Sequence, residues 1–146
     1  MKNLHNCPAG QLDELFAFLV DASRRVLENQ TTMAPFGAKR SSEGTMAIIA
    51  IEPTGDLRAD TRLLRRILRA EKLAQSLVVS GVAYLWKYYD ENDTLKPAVF
   101  FEIESAQECA WALKPLERRQ GAGWTLGPST RLDERPDMED RVFPRV

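Results

Sequence analysis

Glu102 and Glu104 alternate with Phe101 and Ile103, a spacing that puts both carboxylates on one face of a strand. On a covered face such a pair could carry shifted pKa values and work as acid and base. On an open face it marks the solvent side of an ordinary strand, which is the expected reading. Other catalytic side chains are sparse. The chain has one histidine, His5, so a Cys–His or Ser–His–Asp arrangement would have to take its base from the start of the chain, which is expected to be frayed. Cys7 and Cys109 are far apart; with His5 they fall short of the ligand number and spacing of a zinc site and read as reduced thiols. Gly121, Gly123 and Gly127 do not form a dinucleotide fingerprint, and no phosphate-loop lysine motif is present. The loop carrying Asp90, Glu91 and Asp93 lacks the central glycine and terminal glutamate of a calcium loop. No catalytic residue, metal or cofactor is expected, and the balance leans away from an enzyme.

Two patterns suit binding better than catalysis. Arg58, Arg62, Arg65, Arg66, Arg69 and Lys72 fall within about a third of a helical circumference at 100° per residue. Such a stripe could dock an acidic partner or phosphates, and arginine forks suit carboxylate and phosphate. Its ordinary reading is the polar side of an amphipathic helix, which ranks ahead. The second pattern is Tyr84, Trp86 and Tyr88, which share one strand face with Val78 and Val82. That face reads first as core, second as a partner or dimer surface, and third as a stacking platform for nucleic acid. The net charge of −1 and the acidic loop beside Tyr88 argue against nucleic acid.

These residues must be held by a small set of elements. The 146 residues, 44% hydrophobic and 28% charged, suit one globular domain with its own core. Leu12, Leu15, Phe16, Leu19, Ala22, Val26 and Leu27 recur at helical spacing, predicting a first helix from about Pro8 to Asn29. A hairpin of Phe36–Arg40 and Thr45–Glu52 follows, turning at Ser41–Gly44. Pro53-Thr-Gly-Asp56 breaks the chain and starts a second helix over Leu57–Gln75. Strands are expected at Leu77–Tyr89 and Pro97–Glu104. Ala106–Arg119 has helical composition, but Pro115 opposes a helix, so Glu108–Leu116 reads as a fifth strand. A short sixth is expected around Gly121–Gly127.

The order α-β-β-α-β-β-β with short links predicts an α+β fold. The expected form is a two-layer sandwich, with a mostly antiparallel sheet of five or six strands and both helices on one face. The domain is expected to span 1–127, with 128–146 an irregular polar tail that Val142 and Phe143 could anchor. The start lacks the apolar stretch of a signal peptide, and no apolar run approaches the roughly 20 residues that cross a bilayer. A cytoplasmic location without membrane association is therefore expected.

The helix, the Pro35-Phe36-Gly37-Ala38 element, the turn at Gly44 and the strand ending at Glu52 resemble a group of small uncharacterised bacterial proteins. In that group a helix leads into a "PFGA" strand, a glycine turn and a second strand. The resemblance covers about twenty residues, and Leu116 stands after Pro115 where the group would have an aromatic. It implies a bacterial domain of unknown function and no activity. The function expected from the residues is non-catalytic protein–protein binding, of an immunity or regulatory kind. The alternatives are a homodimeric ligand-binding or scaffold protein and, behind it, a minimal carboxylate-dependent enzyme. The candidate partner-binding residues are Arg58, Arg62, Arg65, Arg66, Arg69, Tyr84, Trp86 and Tyr88.

Overall fold

A computed structural model describes residues 11–74, 77–118 and 123–133. The apolar stripe of the first helix forms α1 (Gln11–Leu27), with Asp13 and Glu14 in its first turn and Arg24 and Arg25 in its last. Those charges complement the helix dipole. The hairpin follows as β1 (Phe36–Arg40) and β2 (Met46–Ile49). Its turn closes where Gly44 donates its N–H to the Ser41 carbonyl at 3.0 Å and adopts φ 93°, a conformation open to glycine at little cost.

The second helix, α2 (Leu57–Leu73), begins at Asp56, whose side chain accepts from the Ala59 N–H at 3.2 Å. Asp60, buried in the first turn, accepts from the Thr54 hydroxyl at 2.8 Å and from the Thr54 N–H. The Pro-Thr-Gly-Asp breaker thus supplies the partners that a helix start lacks within itself. Two long strands, β3 (Val79–Tyr89) and β4 (Leu95–Ser105), lead to β5 (Cys109–Arg118), β6 (Trp124–Leu126) and β7 (Thr130–Leu132). The ambiguous segment is therefore a strand. Pro115 sits within it opposite Ala98, and its carbonyl accepts from the Gly127 N–H at 2.8 Å.

Every pairing is antiparallel, in the order β2-β1-β3-β4-β5-β6, and the outer edge of β5 is shared between β6 and β7. This is the expected α+β fold with the expected succession of elements. One packing detail differs. The helices lie on opposite faces of the sheet rather than together on one. Leu12, Leu15 and Leu19 of α1 pack with Val79, Ala83, Phe101 and Ile103, whereas Leu64 and Leu68 of α2 pack with Val82, Tyr84, Phe100 and Leu113. The physical reason lies in β3, where both alternating faces are apolar, so each has to be covered. Gly81 lets α1 come close: a Cβ there would stand 2.6 Å from a Leu19 methyl.

The sheet also extends beyond residue 127. Thr130–Leu132, expected in an irregular tail, pairs as β7 with Trp111–Leu113 and buries Leu132. Gly123, at φ 95°, lies against the last carbonyls of α1, where a Cβ would fall 2.2 Å from the Glu28 oxygen. His5, Cys7, Val142 and Phe143 lie outside the described residues.

Candidate functional site

On the α2 face of the sheet, side chains of β3, β4 and β5 stand in cross-strand rows. Val82, Glu102 and Trp111 make one row, and Ser80, Glu104 and Cys109 make the next. The two glutamates do share a face, as their alternation requires, but the helix above divides them. Glu102 is 7% exposed, while Glu104 is open to solvent.

Arg65 descends from α2 and grips Glu102 with both arms of its guanidinium. Its Nε donates to Oε1 at 3.0 Å and its Nη2 to Oε2 at 2.7 Å. The Tyr84 hydroxyl donates to Oε2 at 2.9 Å. Burial acts to lower the Arg65 pKa, but the hydrogen bonds and attraction of Glu102 outweigh it and raise the value overall. Both Glu102 oxygens are thereby engaged by hydrogen-bond donors. This carboxylate is a clamp between helix and sheet, and a role as general base would require its release.

The aromatic strand is placed in the core. Tyr84 is fully buried and stacks on Phe100 with ring centres 5.7 Å apart and planes 10° apart. Tyr88 is 5% exposed, its hydroxyl pKa raised by burial, and Trp86 is half-buried against the same cluster. These three side chains belong to the apolar cluster on the α2 side of the sheet, and Tyr84 meets the cationic stripe at Glu102, which it shares with Arg65. Of that stripe, Arg65 is taken by the clamp. Arg58, Arg62, Arg66, Arg69 and Lys72 are exposed.

Beside the clamp, between α2 and the strands, opens a cleft of about 100 Å3. Its helix wall carries Arg65, Arg69 and Lys72, and its strand wall carries Glu102, Glu104, Cys109 and Trp111. Leu68 and Val82 supply apolar floor, and Ser80 a hydroxyl. The sequence signals for Lys72 and Glu104 were present as a stripe member and an alternating carboxylate. Ser80 and Trp111 carried no signal of their own, because only the strand register brings them here. Among the described residues, no group of three or more histidines, cysteines or acids is arranged to hold a metal ion, and no helix is long and apolar enough to cross a membrane.

No protein-family model, curated protein or solved structure matches the chain.

Proposed function

We propose that this is a binding protein whose working surface is the cationic flank of α2, and that it docks an acidic segment of a protein partner. The observation that carries this is the state of the charges on α2. The helix holds six cations against two acids, Asp60 and Glu71. Asp60 is buried and accepts from the Thr54 hydroxyl and N–H, and Glu71 pairs with Lys39 at 2.8 Å. The acids are thus turned inward, while Arg66, Arg69 and Lys72 are exposed and make no ion pair with the described residues. On a chain of net charge −1 this is a local positive surface, suited to steering and registering an acidic partner. The burial of Tyr84 and Tyr88 supports the helix flank, rather than the aromatic strand, as the docking surface.

The test is capture of partners by the intact protein at low and high salt, compared with Arg62→Glu/Arg66→Glu. Both residues are exposed and stand outside the cleft lining. The expected result is an acidic protein retained by the parent at low salt, released at high salt and missing from the variant. Equal retention by parent and variant would remove the role given to the flank.

A further inference from the structure

The clamp and the cleft are successive rungs of one ladder. Four residues along a helix advance it by about 6 Å, and two residues along a strand by about 7 Å. The step from Arg65 to Arg69 is therefore matched by the step from Glu102 to Glu104. The first rung closes, with Arg65 and Glu102 joined bidentately. The second rung stays open. Arg69 and Lys72 on the helix wall and Glu104 on the strand wall line the same cleft, yet none of them is ion-paired across it or to any other described residue. Opposite charges face each other over a gap with an apolar floor.

We propose that the open rung is a binding site for a small zwitterion of the α-amino-acid class. Its carboxylate lies against Arg69 and Lys72, and its ammonium group against Glu104. The side chain lies over Leu68 and Val82 toward the Trp111 indole. A simple anion satisfies only the helix wall and is repelled by Glu104, and a simple amine meets the converse difficulty. The volume suits a ligand of this size: about 100 Å3 accommodates about seven to ten water-sized groups. The fixed pair beneath gives the site a rigid base, since Arg65 cannot swing to Glu104 without abandoning a buried carboxylate. This reading goes beyond partner docking and uses the strand wall, which the partner surface does not.

The experiment is a titration of the full-length, isotopically labelled protein followed at the Trp111 indole N–H resonance. The probes are glycine, L-alanine and L-leucine, with 4-methylpentanoate (leucine without its amine) and 3-methylbutylamine (leucine without its carboxylate) as controls. At least one amino acid is expected to shift the Trp111 signal saturably, and both controls to bind at least tenfold more weakly. Glu104→Gln is expected to weaken the amino acid at least tenfold while leaving 4-methylpentanoate unchanged or tighter. Arg69→Gln is expected to weaken the amino acid and leave 3-methylbutylamine unchanged. Equal affinity for leucine and 4-methylpentanoate would show a plain anion site and overturn the proposal. So would no shift by any amino acid, as expected if the open rung closes on itself in solution. Partner capture by Glu104→Gln separates the two readings, because that variant keeps every cation of the helix flank.

Discussion

Replacing Glu102 with alanine would leave the Arg65 guanidinium held under α2 without its counter-charge, and would remove the acceptor of the Tyr84 hydroxyl. The Arg65 side chain is 20% exposed and that of Glu102 8%, so water can restore little of what is lost. Breaking a pair this deep by removing one partner costs about 3 kcal/mol or more. Tyr84→Phe keeps the ring stack and loses the hydrogen bond to the charged Glu102, at a cost of about 1.5–3 kcal/mol. Joint replacement by leucines should recover much of the Glu102→Ala loss, because no buried charge is then left alone. Urea unfolding of the three variants measures this order. If Glu102→Ala costs no more than Tyr84→Phe, the clamp is not what fastens α2 to the sheet.

At the scale of elements, the β3–β4 hairpin is tied by Asp90. Its Oδ1 accepts from the N–H groups of Asn92 and Thr94, each at 2.9 Å, and Lys96 approaches Oδ2 at 3.3 Å. The Thr94 N–H contributes most to holding this carboxyl below its usual pKa, burial opposes it, and Asn92 and Lys96 assist. A carboxyl depressed in the folded state gives stability that is present above the unfolded value of about 3.9. That stability is lost as pH falls through the folded value, because the unfolded chain then binds more protons. Amide exchange at Asn92 and Thr94 should therefore accelerate on acidification through that range, relative to the sheet centre. In Asp90→Asn, which keeps an acceptor without a charge, this local acid sensitivity should disappear. An unchanged profile in the variant would assign the sensitivity to another group.

The same hairpin shows what could be read from the chain and what could not. Asp90 to Lys96 are a polar run between two apolar ones, and Leu12–Leu27 and Leu57–Leu68 carry helical spacing. Local patterns of that kind set the elements and their order. The side of the sheet that each helix takes was also written in β3, in the pairing of Gly81 and Ala83 on one face with Val82 and Tyr84 on the other. Two apolar faces need two covers. The clamp was not legible, because Arg65 and Glu102 are 37 residues apart and neither differs in type from its neighbours Arg66 and Glu104. Only the seating of α2 over β1 and β3, from which Arg65 reaches across to β4, selects one member from each set. β7 was hidden for a related reason: three residues, Thr130–Leu132, are too short for a period of two to register, and they become a strand through the free edge of β5.

Across the whole molecule, charge is divided by depth. The pair that fixes the fold is buried, whereas the cations offered to a partner are exposed on one flank. Salt screens these two sets differently, with a Debye length of about 10 Å at 0.1 M and about 3 Å at 1 M. The exposed pairs on α1, Arg24 and Arg25 with Asp21 and Glu28, are open to water and add little to stability. Raising salt from 0.1 to 1 M should therefore move the melting temperature little while partner retention collapses. Thermal melts and capture on the same salt series test this. Parallel loss of both would mean that the flank of α2 is needed for folding itself, and that its cations are compensated within the chain. A steady melting temperature with falling retention would place the same cations outside the stability of the fold, available to whatever acidic surface they meet.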